Sequence, residues 1–154
     1  MPIDLERTIS LVFVASALVG ACGDSSSAPP PDQLRVAGTY DTQVTLQQNT
    51  CTGILVQRNA TTVTHTPGSA AVTLTHAGTA YTGAVQRNGT FTTTPKVIGG
   101  GSNTNTVTIV GTFTTTAIDA MVTIDLQRSG SAACQYTVKW AGLKNGGPNV
   151  IPGT

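Results

Sequence analysis

Acidic side chains are the first groups to consider for catalysis, because two carboxylates facing each other across a cleft can hydrolyse a glycosidic bond. The only glutamate is Glu6, near the start of the chain, and the aspartates in the later, patterned part are Asp41, Asp119 and Asp125. Each of these three alternates with apolar neighbours. In a strand, alternate positions point to opposite faces, so we expect all three to face solvent and to form no paired carboxylate site.

The two histidines, His65 and His76, are the candidates for metal binding. Each shares its parity with apolar residues, so both are expected to face inward on adjacent strands. A hairpin closed over 66–69 would pair residue 65 with residue 70 and place His76 opposite Asn59. At about 3.3 Å per residue, this separates the two histidines by roughly 20 Å. The sequence therefore predicts no shared metal ion and places each histidine near a turn at the end of a strand.

The sequence contains no pattern of an activated nucleophile and no phosphate-binding loop. G-x-S-x-G is absent, and no aspartate lies near either histidine to complete a Ser-His-Asp arrangement. The stretch GGGS at 99–102 has no lysine after it, which excludes a P-loop. We interpret this stretch as a flexible loop between strands, with a lid over an open barrel end as the alternative. We expect no enzymatic activity and no cofactor.

Aromatic side chains are the remaining candidates for contact with a ligand. Inward-facing rows of the predicted strands contain Tyr81, Phe113, Tyr136 and Trp140. Such residues either fill the core of a small β-domain or line a cavity that holds one small ligand.

The composition indicates strands and argues against two kinds of partner. Charged residues make up 10% of the chain, against about 25% in typical soluble domains. Threonine, with 28 copies, supplies many of the polar positions, and its β-branched side chain favours strands. The formal net charge is +1, without a cluster of Lys or Arg. This argues against nucleic acid and against a polybasic membrane-binding surface.

The N-terminal segment has the pattern of an export signal. The apolar run at 9–19 is ISLVFVASALV. A membrane-spanning helix needs about 20 residues, so this run is too short to be one. It matches the apolar core of a signal peptide. It leads into VGAC at 19–22, which resembles the lipobox of bacterial lipoproteins. The resemblance implies a signal peptide over 1–21, a lipid on Cys22, and attachment to a membrane of the bacterial cell envelope, facing the periplasm or on the cell surface. Residues 22–35, rich in Ser and Pro, are predicted to form a disordered tether.

Two further cysteines, Cys51 and Cys134, lie 83 positions apart. If Cys22 carries the lipid, these two remain, and export into an oxidising compartment favours a disulfide between them. A redox couple is the alternative, but no C-x-x-C motif and no neighbouring histidine support it. We expect a structural bridge between the beginning and the end of the domain.

From residue 36 onward, apolar residues alternate with Thr and Gln, and turn residues interrupt the pattern. A two-residue loop at Ala77-Gly78 would pair His76 with Thr79. A three-residue loop at 87–89 would pair Val85 with Phe91. The predicted strands are about 37–47, 53–58, 61–65, 70–76, 79–85, 90–94, 105–116, 120–128 and 133–141.

These strands predict an all-β domain over 36–145, with a C-terminal tail over 146–154. We expect a single antiparallel up-and-down β-barrel of about eight strands, because hairpin connections dominate and closure removes exposed edges. A β-sandwich is the alternative. The layout is similar to that of small avidin-like and lipocalin-like barrels, in architecture only, because no residue motif of either family is present.

Two functions are compatible with this pattern. The first is a lipid-anchored envelope domain without catalytic activity, which has a structural role or docks to a protein partner. The alternative is a lipocalin-like carrier that binds a small apolar molecule inside the barrel. A cavity lined by Tyr81, Phe113, Tyr136 and Trp140 would favour the carrier, and a barrel filled by its own side chains would exclude it.

Overall fold

The computed structural model describes residues 33–129 and 131–152. The predicted signal peptide, the predicted lipidation site Cys22 and most of the predicted tether lie outside these residues. The described part contains nine β-strands and no helix. The strands are β1 (Gly38–Asn49), β2 (Asn59–His65), β3 (Ala71–His76), β4 (Thr79–Val85), β5 (Thr90–Thr93), β6 (Lys96–Gly100), β7 (Asn103–Phe113), β8 (Ala117–Arg128) and β9 (Ser131–Lys144).

Eight of the strands close into an antiparallel barrel, which confirms the predicted fold class. Strands β1 to β5 pair in sequence, β5 pairs with β7, and β7, β8 and β9 lead back to β1. The ninth strand, β6, pairs with the first half of β7. Strands β7, β8 and β9 have 11, 12 and 14 residues, whereas β2 to β5 have between 4 and 7. The barrel wall is therefore taller on one side than on the other.

Strands β5 and β6 both pair with β7, one after the other, and Thr94 and Pro95 separate them. In β5, Thr92 is opposite Val110 of β7, and in β6, Lys96 is opposite Val107. The β5–β6 side thus contains one residue more than β7, as in a β-bulge. The lysine donates a hydrogen bond from Nζ to the carbonyl of Ala80 in β4, at 2.9 Å. This contact, together with the hydrogen bond from the Thr94 amide to the Thr82 carbonyl at 2.8 Å, links β4 to the interrupted stretch.

Two local predictions, for residues 99–102 and for residues 53–58, are wrong. The stretch at 99–102 was expected to be a loop, but Gly99 and Gly100 end β6, and only residues 101–102 form the turn into β7. The stretch 53–58 was expected to be a strand, but it is irregular. Its apolar run has no strand beside it, because β1 pairs with β2 only as far as Thr42 and Asn59.

The hairpin registers test the parity reasoning directly. His76 pairs with Thr79 and Val85 pairs with Phe91, both as predicted. The β2–β3 register is different from the expected one, because His65 is opposite Val72 and His76 is opposite Thr61. The connection between these paired residues is thus 66–71, two residues longer than the predicted 66–69 loop. A shift of two positions preserves the parity of each face, so both histidines still face inward.

One end of the barrel is closed by packed aromatic rings. The ring centroid of Phe113 lies 4.7 Å from that of Phe91 and 5.8 Å from that of Tyr40, and all three side chains are fully buried. Gly111 makes room for them, because a Cβ at this position would lie 2.8 Å from the Phe91 ring. This half of the barrel is filled by its own side chains.

Both ends of the described chain pack onto the closed end. Arg35 and Val150 form an antiparallel bridge, and Leu34, Val36 and Ile151 are buried. Asn149 is also buried, and its Oδ1 accepts hydrogen bonds from the Tyr40 hydroxyl at 2.8 Å and from Lys144 Nζ at 2.7 Å. The folded domain therefore extends beyond the predicted 36–145 at both ends.

Candidate functional site

The opposite end of the barrel is open and contains a cavity of about 340 Å³. Apolar side chains from six strands form its inner wall, and a few polar side chains lie near its mouth. The lining residues are Val44, Leu55, Val56, Gln57, Asn59, His76, Ala77, Tyr81, Ile98, Asn105, Val107, Val122, Ile124, Tyr136, Val138 and Trp140. The volume falls within the range of about 300–1,000 Å³ of small-molecule sites.

Three of the four aromatic residues predicted to line a ligand cavity are in this wall. Tyr81 comes from β4, and Tyr136 and Trp140 come from the same face of β9. Phe113 is not in the wall, because it lies at the closed end against Phe91 and Tyr40. Parity places Phe113 inside the barrel, but its position near the end of β7 puts it at the filled end.

The imidazole of His76 is held by a stacked ring and a hydrogen bond. Its ring centroid lies 4.1 Å from that of Trp140, with 28° between the planes. Its Nδ1 is 2.8 Å from the hydroxyl of Thr61, which is 2.8 Å from the hydroxyl of Thr42. Both threonines are fully buried. The ring is therefore fixed on two sides where it lines the cavity.

The sequence reasoning missed part of this arrangement. It identified His76 as an inward residue near a turn, and the structure confirms this position. Thr42 and Thr61 gave no signal, because they are two among 28 threonines. Ile98 was also missed, because no strand was predicted over 95–104. In the structure Lys96 and Ile98 are half-buried and Val97 is exposed, but the letters of this strand, KVIGG, show no such alternation and gave no signal.

Among residues 33–129 and 131–152, no Asp, Glu, Lys or Arg lines the cavity. Burial lowers the pKa of His76, which favours the neutral ring. Burial also raises the pKa of Tyr81 and of Tyr136, so both phenols stay protonated near neutral pH. The wall is thus uncharged and combines apolar surface with a few hydrogen-bonding groups.

An irregular segment, residues 50–58, which we call the mouth loop, borders the opening. Its Leu55, Val56 and Gln57 belong to the cavity wall, and Leu55 is 89% exposed. Cys51 holds one end of the loop through a disulfide to Cys134. This bridge confirms the predicted pairing. At the other end, Arg58 forms a two-pronged ion pair with the Asp41 carboxylate.

Metal binding finds no support in the described part of the chain, where no group of three His, Cys, Asp or Glu side chains comes together. His65 lies near the closed end, and its Nε2 is 2.9 Å from the carbonyl of Ser69. His76 pairs with Thr61, four positions along β2 from His65, which is about 13 Å at 3.3 Å per residue. The two histidines therefore belong to different ends of the barrel.

The pH dependence of stability tests the environment of His76. Because burial lowers its pKa below the ordinary 6.5, the unfolded chain binds a proton there more readily than the folded protein does. The contribution of His76 to the free energy of unfolding is therefore fully present above pH 6.5, and it is lost as the pH drops through the folded-state pKa. We expect His76→Phe to reduce this fall between about pH 7.5 and pH 5.5, measured by urea unfolding. An unchanged pH slope in the variant would contradict the assignment.

Comparison with known proteins gives no relative: no family model, no curated protein and no solved structure matches the chain. Among the described residues, no helix is long and apolar enough to cross a membrane.

Proposed function

We propose that this chain is a lipid-anchored protein of the bacterial cell envelope whose barrel binds one small, mainly apolar molecule without chemical conversion. The observation that carries the proposal is the contrast between the two ends of the barrel. One end is filled by Tyr40, Phe91 and Phe113, whereas the other leaves about 340 Å³ beside Tyr81, Tyr136 and Trp140.

The free energy of binding would come mainly from apolar surface. Protein interiors are normally packed as densely as organic crystals, so a cavity lined by ring systems leaves many favourable contacts unmade. A ligand that fills it gains about 25 cal/mol for each Å² of apolar surface removed from water. With roughly 30 Å³ per water molecule as a guide, the volume corresponds to roughly ten to fifteen non-hydrogen atoms.

The position of the N-terminal segment supports a carrier that is open on the side away from its attachment. Leu34 and Val36 pack at the closed end, so the predicted tether would leave the barrel there. The cavity opens at the other end, beside the mouth loop. A lipid on Cys22 would then hold the protein to the membrane and leave the opening free for ligand exchange.

Docking to a protein partner is the second candidate function, and the outer wall of the barrel carries the observation that favours it. Val110 and Met121 are directly opposite each other on β7 and β8, and they are 52% and 41% exposed. Leu143 on β9 is 67% exposed. In this case the cavity would have no role, and filling it would leave the function intact.

Equilibrium dialysis with naphthalene as an apolar probe distinguishes the two functions. We expect one molecule to bind per chain, and we expect Ile98→Trp to abolish binding because its larger side chain occupies the cavity. The matched control is Val97→Trp, since Val97 is the next residue of β6 and is 62% exposed. If neither the unmodified protein nor the control binds naphthalene, the carrier function is wrong.

Native mass spectrometry of the exported full chain tests the anchor separately. We expect a lipid-sized mass increase that maps to Cys22 and disappears in Cys22→Ser. Export without any added mass on Cys22 would refute the anchor and leave the cavity proposal standing.

A further inference from the structure

We infer that the cavity is built for an uncharged, planar molecule that donates a hydrogen bond from an O–H or N–H group to Nε2 of His76. This inference rests on the proposed function and narrows it to one chemical class of ligand. Three features carry it: the order of protons in a buried hydrogen-bond chain, the fixed plane of the imidazole, and the absence of charge in the wall.

The proton order follows from the end of the chain of hydroxyl groups. The Thr42 hydroxyl is 3.3 Å from the carbonyl of Tyr40, and a carbonyl can only accept. When Thr42 donates its one proton there, it accepts the proton of Thr61 across their 2.8 Å contact. The Thr61 oxygen then accepts from Nδ1 of His76, 2.8 Å away.

This order places the proton of the neutral imidazole on Nδ1 and leaves a lone pair on Nε2. Nε2 has no hydrogen-bond partner among the described residues, and the ring lines the cavity. Because Thr42 and Thr61 are fully buried, water does not compete for the chain. The site therefore offers a ligand a hydrogen-bond acceptor.

The rings in the wall favour a flat ligand. Trp140 covers one face of the imidazole at 4.1 Å and prevents the ring from turning its acceptor away. Tyr81 and Tyr136 add two further ring surfaces to the same cavity. Flat ring systems stack on such surfaces with favourable geometry.

The wall disfavours a charged ligand, because none of the described residues that line the cavity is Asp, Glu, Lys or Arg. A charge brought out of water without a partner is unfavourable. The lowered pKa of His76 agrees with a neutral ring that accepts rather than donates at Nε2. The site thus differs from one that binds a carboxylate or an amine.

Three probes with the same ring system test the ligand class: naphthalene, 2-naphthol and 2-naphthoate, measured by equilibrium dialysis at neutral pH. We expect 2-naphthol to bind about 3- to 10-fold more tightly than naphthalene because of one added hydrogen bond. We expect 2-naphthoate to bind at least about 100-fold more weakly than 2-naphthol because its charge is left without a partner.

Two variants locate the acceptor. His76→Phe keeps an aromatic ring beside Trp140 but removes the lone pair, so we expect 2-naphthol to bind to this variant no more tightly than naphthalene does. Thr61→Val removes the group that holds the proton on Nδ1, so we expect a smaller preference. Thr61 is a positioning residue, and Thr61→Ser should restore the preference. The Ser variant also shows whether loss of preference in the Val variant reflects the hydroxyl.

The outcomes separate this inference from the proposed function. If naphthalene binds but 2-naphthol binds no more tightly, or if His76→Phe keeps the preference, the ligand class is wrong and the carrier function stands. If 2-naphthoate binds as well as 2-naphthol, the requirement for an uncharged ligand is wrong. If naphthalene does not bind to the unmodified protein, the carrier function itself fails.

Discussion

A Phe113→Ala variant is expected to lose about 3–5 kcal/mol of unfolding free energy. Phe113 is 1% exposed, and its ring lies against those of Phe91 and Tyr40 at the closed end of the barrel. Truncation leaves a hole that the surrounding strands cannot collapse to fill, and it also removes two contacts between aromatic rings. For a domain with a typical stability of about 5–15 kcal/mol, this loss brings the protein close to unfolding.

Urea unfolding followed by the fluorescence of Trp140, the only tryptophan of the chain, measures the effect. Phe113→Leu is the matched control, because it retains most of the apolar volume, and we expect a clearly smaller loss. Below the unfolding transition, Phe113→Ala should bind naphthalene as the unmodified protein does, since Phe113 does not line the cavity. A weakened affinity for naphthalene in the folded variant would show that Phe113 does contribute to ligand binding.

Which side chains face inward could be predicted from the sequence because the period of a strand is two. The four aromatic residues predicted to face inward, Tyr81, Phe113, Tyr136 and Trp140, all do so. Even the wrong β2–β3 register preserved the orientation of His65 and His76, because it was displaced by two residues and not by one. Orientation is therefore a local property that alternation records well.

Position along the barrel could not be predicted in this way. Phe113 and Trp140 have equivalent patterns in the sequence, but one is packed at the closed end and the other lines the cavity. What separates them is the closure of β5 onto β7 and the packing of residues 34–36 and 149–151 across one end. These are contacts between distant parts of the chain, and no periodicity within one strand contains them.

The buried hydroxyl groups behind His76 could not be predicted for a related reason. A threonine in a strand indicates only a β-branched polar residue, and nothing local distinguishes Thr42 or Thr61 from the others. The β1–β2 and β2–β3 pairings bring the Thr42 hydroxyl to that of Thr61 and the Thr61 hydroxyl to His76. The mouth loop is a similar case. Its apolar run favours a strand in the sequence, but β1 pairs with β2 only as far as Thr42 and Asn59, so the run has no strand to pair with.

Removing the disulfide is the second change with a large expected effect. We expect Cys51→Ala combined with Cys134→Ala to lower the unfolding free energy by about 2–5 kcal/mol, because the bridge closes a long loop and so limits the freedom of the unfolded chain. The two cysteines are 83 residues apart, and for that length the chain-entropy model gives about 4.5 kcal/mol. Urea unfolding of the oxidised protein and of the double variant measures the difference.

The same variant should also weaken naphthalene binding in the folded protein, because Cys51 holds the mouth loop where Leu55 and Val56 form part of the cavity wall. Arg58→Ala is the matched control at the other end of the loop. Its ion pair with Asp41 is exposed to solvent, where such pairs contribute little to stability, so we expect it to leave the unfolding free energy almost unchanged. Affinity that is weakened by Arg58→Ala but not by loss of the disulfide would show that the ion pair, and not the bridge, positions the loop. If the double cysteine variant loses stability but neither variant changes the affinity for naphthalene, the cavity binds its ligand without the mouth loop.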